Sequence, residues 1–111
     1  MGSLNRGQVV TIAVQGDFGK PRPALVIQSD AFNNTHATIT VLLISSAVVD
    51  APLFRIDVLP DPENGLSKPC QIQVDKAMTI KREKIGAAIG QVNDAMMLRV
   101  NRALALWMGL A

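Results

Sequence analysis

The chain has 111 residues with a formal net charge of +2, one cysteine and one histidine. That length fits a single domain, and the mild basic balance admits a nucleic acid without demanding one. One cysteine excludes an internal disulfide and a cysteine-based zinc cluster, and no apolar run nears the ~20 residues that span a bilayer. The expectation is a cytoplasmic protein with no membrane association, folded as one unit over residues 1–111. Met1-Gly2-Ser3 reads as an expression remnant and carries no functional weight.

Gln8 to Val14 is rich in β-branched residues and stops at Gln15-Gly16, as a first strand would. The next segment, Gly16-Asp17-Phe18-Gly19-Lys20, has two glycines but neither the phosphate-loop nor the dinucleotide spacing. It leads into Pro21-Arg22-Pro23. Both prolines bias Arg22 to extended backbone, which fixes a guanidinium at the mouth of a strand predicted from Pro23 to Gln28. Such a cation suits a phosphate, and on the local residues alone a rigid turn with a solvated charge accounts for it at least as well.

Ala31 to Thr35 is polar and turn-prone after Phe32, and a third strand, Thr38 to Ser45, turns fully apolar midway. Phe54 to Leu59 alternates apolar with charged residues, and Asp61-Pro62-Glu63-Asn64-Gly65 then supplies strong turn chemistry. Cys70 to Asp75 alternates again, with Gln71, Gln73 and Asp75 on one face. A further strand fits Met78 to Lys81, Lys81-Arg82-Glu83-Lys84 reads as a solvated charged turn, and Lys84 to Gln91 is ambiguous because of Gly86 and Gly90. Asn93 is a good N-cap for an amphipathic helix whose apolar stripe runs from Met96 through Trp107 to Gly109. The predicted fold is mainly β: a small, strongly bent sheet or SH3-like barrel with a C-terminal α-helix.

His36 has no partner histidine or carboxylate pair in sequence, so no metal site and no cofactor are predicted, and the serine-hydrolase elbow is absent. The remaining polar residues lie at strand and loop ends: Asp17, Lys20, Arg22, Ser45, Ser46, Gln73 and Asp75. A curved sheet could bring them to one groove.

Three segments in order along the chain, Arg6-Gly7-Gln8-Val9, Lys20-Pro21-Arg22-Pro23-Ala24-Leu25-Val26-Ile27-Gln28 and Gln71 to Ile80, resemble the MazF/PemK/Kid family of toxins. The resemblance implies a compact CcdB/PemK-like barrel, a homodimer, metal-independent cleavage of single-stranded RNA, a cognate antitoxin, and operator DNA contacted indirectly through that antitoxin. Residue by residue, Arg22 matches the family's Arg-Pro arginine, Ser45 the Ser or Thr ending the third strand, and Asp75 the aspartate of the later motif. Asp17 stands near the place where relatives put a glutamate. In the implied reaction Arg22 stabilises charge on the phosphate, Asp75 or Asp17 is the base, and Ser45 hydrogen-bonds the phosphate or orients the attacking hydroxyl. Lys20, Phe18, Ser46 and Gln73 are the expected RNA contacts.

Each residue also has a purely structural reading. Asp75 can cap a turn, Ser45 can satisfy a strand end, and Trp107 can be core or dimer packing. Gln73 stands where some relatives have arginine, and it cannot neutralise a phosphate. Two other function classes share the fold: a CcdB-like gyrase poison, echoed by Leu106 to Leu110, and a small nucleic-acid-binding barrel without catalysis.

Overall fold

The computed structural model describes residues 3–13 and 20–111. In chain order they form β1 (Gln8–Ala13), β2 (Pro21–Val26), α1 (Asp30–Asn33), β3 (Thr38–Ser45), β4 (Arg55–Val58), β5 (Cys70–Lys81), a 3-10 turn (Arg82–Lys84), β6 (Ile85–Gln91) and α2 (Asp94–Trp107). The strands make one antiparallel sheet in the order β4-β5-β3-β2-β1-β6.

The apolar runs of β1, β2 and β3 reflect burial on both faces. Val9, Leu25, Leu42 and Ile44 join Ile56, Ile72, Val74 and Val100 in one core cluster. Their neighbours Val10, Ala24, Val26 and Val41 join Ile12, Ile39 and Ile80 in a second. Helix α2 covers the first cluster with the fully buried Val100, flanked by Met96, Met97, Ala103 and Leu104. Burying one such valine is worth about 1.5–3 kcal/mol. The expected cap is present: Asn93 Oδ1 accepts from the Met96 N–H at 2.8 Å. Trp107 remains half exposed and meets the Phe54 ring at a centroid distance of 5.2 Å.

The sheet is strongly bent, and its two edge strands are bridged by a turn instead of a ladder. The Gln91 N–H donates to Glu63 O at 2.8 Å, which ties the β4–β5 connection to β6. Two glycines permit this approach. An added Cβ would lie 2.1 Å from Ile89 O at Gly65, where φ is +72°, and 2.3 Å from Glu63 O at Gly90. Gly90 thus belongs to β6, which settles the ambiguity of the Lys84 to Gln91 segment as a strand.

Three sequence expectations change, the first being the second strand, which spans Pro21–Val26 where Pro23 to Gln28 is predicted. Cys70 to Asp75 and Met78 to Lys81 are one twelve-residue strand, because an irregularity in its pairing with β3 absorbs extra residues: Leu42 pairs with Ala77, but Leu43 pairs with Gln73. On the polar side of that strand Gln71 is only 3% exposed, while Gln73 and Asp75 are half-buried. A single helical turn, α1, starts after Ser29, whose Oγ accepts from the Ala31 N–H, and runs into the stretch read as turn-prone after Phe32.

Candidate active site

Extended backbone at β2 brings Pro21, Arg22 and Pro23 beside the end of β3, with Arg22 paired to Ile12 of β1. The resulting cleft has a volume of about 280 Å³. Arg22, Ser45 and Ser46 line one side, Ser67 and Lys68 of the β4–β5 connection line another, and Ile44 and Cys70 add apolar surface. Three of the predicted site residues therefore share one cavity.

Ser45 ends β3, and its Oγ accepts from the Ala47 N–H at 3.0 Å. That bond uses one lone pair and leaves the hydroxyl hydrogen to be donated to a ligand oxygen. The β4–β5 connection that contributes Ser67 and Lys68 is organised by Asn64, which is 1% exposed. Its Oδ1 accepts from the N–H groups of Asp61 and Leu66, and its Nδ2 donates to Leu59 O at 2.8 Å. This buried amide folds the turn back on itself and carries Ser67 and Lys68 to the cleft. Burial pushes the Cys70 thiol upward in pKa, against the smaller opposing effect of Lys68, so the thiol stays protonated at neutral pH.

Two cations, several hydroxyls and no carboxylate line the cleft among the described residues. Such a lining accepts an anion and holds no carboxylate base of its own. Lys68 and Ser67 were not picked out by sequence reasoning, because their approach to Arg22 depends on the β4–β5 turn reaching back to β6.

The other predicted residues lie elsewhere. Lys20 is exposed just before β2 and is not part of the cleft lining. Gln73 is half-buried on β5, paired with Leu43 and Arg55, outside the cleft. Asp75 forms a forked ion pair with Arg55, Nε to Oδ1 at 2.7 Å and Nη2 to Oδ2 at 3.1 Å. The Arg55 hydrogen bonds hold its carboxyl below the usual range, in spite of partial burial. Asp17 and Phe18 lie outside the described residues. No three histidine, cysteine, aspartate or glutamate side chains among the described residues group to hold a metal ion. No helix among them is long and apolar enough to cross a membrane.

A bent, open six-stranded sheet whose edges are bridged by a turn and which one helix covers, with a cationic and hydroxyl-rich cleft at the strand ends, defines a small β domain with an anion-receptive site. Its relatives make the class specific. Residues 5–108 match the family model described as the PemK-like, MazF-like toxin of type II toxin-antitoxin systems. The chain is 38% identical to "Probable endoribonuclease MazF" of Mycolicibacterium smegmatis, over 97% of this chain and 99% of the relative. It is 28% identical to "Endoribonuclease EndoA" of Bacillus subtilis, over 96% of each. In structure it is similar to a mycobacterial endoribonuclease solved in complex with its cognate antitoxin, with a TM-score of 0.80, 25% identity and 98% of each chain covered. The chain belongs to the PemK-like, MazF-like toxin family of type II toxin-antitoxin systems.

Proposed function

We propose that this toxin is an endoribonuclease that cleaves single-stranded RNA, and that Arg22 and Ser45 bind the reacting phosphate. The observation that carries the reading is their convergence in one cleft free of described carboxylates, in a chain whose 38%-identical relative bears an endoribonuclease name. A base removes the 2′-hydroxyl proton, and the 2′-oxygen forms a bond to phosphorus. The bond to the 5′-oxygen breaks, and that oxygen takes up a proton. The products are a 2′,3′-cyclic phosphate and a free 5′-hydroxyl.

Negative charge grows on the phosphate oxygens as the 2′-oxygen approaches. The permanently charged guanidinium of Arg22 stabilises it, and the Ser45 hydroxyl donates to it. Ser46 and Lys68 hold neighbouring RNA groups, and Lys20 and Phe18 extend the binding surface from the β1–β2 connection. Asp17 is the base in this scheme. Asp75, with both oxygens bonded to Arg55 and its carboxyl held below the usual range, is a poor base. Gln73 lies away from the cleft and is assigned no step.

By the same reading the toxin works as a cytoplasmic homodimer, is restrained by a cognate antitoxin, and meets operator DNA only through that antitoxin. The antitoxin part is supported by the mycobacterial neighbour solved with its own antitoxin.

The test is incubation of the pure protein with mixed-sequence single-stranded RNA in excess chelator. Fragments ending in cyclic phosphate are expected, and Arg22→Ala should slow their formation by about 10²–10³-fold. Intact RNA, or fragments that appear only when a divalent metal is restored, would overturn the metal-independent ribonuclease reading.

A further inference from the structure

Gln71 is a buried polar residue that the scheme above leaves without a task. It sits on β5 between the buried Cys70 and Ile72, and it is the direct cross-strand partner of both Ser45 on β3 and Asp57 on β4. All three side chains therefore share one face of the sheet. Burying an amide there costs stability unless its bonds are made.

They are made chiefly to one residue of the β3–β4 connection. Gln71 Oε1 accepts from the Val49 N–H at 3.0 Å, and Nε2 donates to Val49 O at 2.9 Å. The second Nε2 hydrogen goes to Asp57 Oδ1 at 2.8 Å. A carboxylate oxygen only accepts, so this bond fixes which end of the amide faces which group. Gln71 grips Val49 at both backbone groups, as a neighbouring strand would, although the Val49 side chain itself is largely exposed.

Only Ser46, Ala47 and Val48 separate that grip from Ser45. Within this span the Ala47 N–H bonds Ser45 Oγ, and Ser46 lines the cleft. The span is thus held at Ser45 by β3 and at Val49 by Gln71. Its residues 46–48 are exposed and have little packing of their own to hold them.

We infer that Gln71 is a positioning residue for RNA cleavage: its grip on Val49 sets the course of residues 46–48 and, through the Ala47–Ser45 bond, the aim of the Ser45 hydroxyl at the phosphate. This rests on the endoribonuclease reading of the cleft. The amide is required because only a group with both a donor and an acceptor can hold both backbone groups of Val49. Glutamate would set an oxygen against Val49 O and Asp57, and methionine would keep the volume and lose every bond.

The experiment compares wild type, Gln71→Met and Asn93→Ala on a fluorescent single-stranded RNA, with backbone amide exchange followed at Val49. Asn93→Ala removes the α2 cap, which is not part of the cleft lining, and serves as a destabilised control. The expected result is that Q71M lowers kcat by about 10- to 100-fold, as a small misplacement of a reacting group does, with KM changed less than about 3-fold. The Val49 amide should exchange faster in Q71M only. N93A, at a comparable loss of melting temperature, should retain the wild-type kcat.

Faster Val49 exchange with unchanged kcat would overturn the positioning role. So would a fall in kcat that N93A shares. If wild type itself leaves RNA intact, the ribonuclease reading fails and takes this inference with it. Cleavage by wild type that is undiminished in Q71M removes the inference alone.

Discussion

Arg55 and Asp75 face each other across β4 and β5 as a forked pair, with side chains only 11% and 13% exposed. The pair spans the irregularity of β5, where Val74 N–H also bonds Phe54 O at 2.9 Å. Removing one partner leaves a half-buried charge without its hydrogen bonds, which costs about 1–3 kcal/mol. Asp75→Asn should therefore lower stability in urea at pH 7 by roughly that amount. The folded carboxyl titrates below its unfolded value of about 3.9, so its stabilisation is complete above that pH and vanishes as pH falls through the folded value. The gap between wild type and Asp75→Asn should narrow steadily below about pH 4. A gap that stays constant to pH 2 would mean the ion pair is not its source.

Gly90→Ala should be among the most damaging single-methyl changes in the chain. Its Cβ would meet Glu63 O at 2.3 Å and the Asn64 carbonyl carbon at 2.4 Å, backbone atoms that cannot rotate away. Overpacking of this kind typically costs 1–3 kcal/mol. For a domain of this size, about 2 kcal/mol corresponds to a fall in melting temperature of roughly 10 °C. The same substitution displaces the turn that carries Lys68, so RNA affinity should fall with it. A melting temperature within about 2 °C of wild type would show that the two edges do not need this contact.

Most of the strands were legible because burial on one or both faces writes itself into residue order. Thr38 to Ser45 was read at its observed bounds, and the Asn93 cap placed α2 correctly. What was not legible depends on contacts between distant segments. Gln71 looks like one of three alternating polar residues, yet it is buried because residue 49 folds over it, whereas Asp75 is turned to Arg55 by the β5 irregularity. Likewise Lys68 follows a turn that looks solvent-facing until Gly65 and Gly90 let it close against β6. That the Pro-Arg-Pro entry and Ser45 lie together in the cleft is legible because each sits at a strand end that local sequence marks.

Arg22→Ala should reduce kcat by about 10²–10³-fold, the usual cost of removing one fixed donor to a developing oxyanion. Arg22 is exposed at the start of β2, so a melting temperature close to wild type is expected. Arg22→Lys should recover only part of the rate, since a point charge cannot make the two-pronged contact to phosphate oxygens. Single-turnover cleavage at saturating protein measures the chemical step directly. Equal rates for Arg22→Ala and wild type would remove Arg22 from the reacting phosphate.

Lys68 should behave differently in the same molecule. It lines the same cleft, exposed, on a connection held by Asn64 and not on a strand. A mobile ammonium in that position meets a neighbouring phosphate as a point charge, present equally before and during bond breaking. Its loss should weaken binding and leave the chemical step nearly intact. Neutralising one phosphate of a single strand contributes about 0.7 to the slope of log affinity against log salt. Binding of an uncleavable 2′-deoxy oligonucleotide, titrated at several salt concentrations, should show Lys68→Ala with a slope smaller by about that amount, weaker at low salt and close to wild type at high salt. An unchanged slope would place the RNA backbone away from the β4–β5 connection and leave Arg22 and Ser45 to bind the phosphate without a second cation.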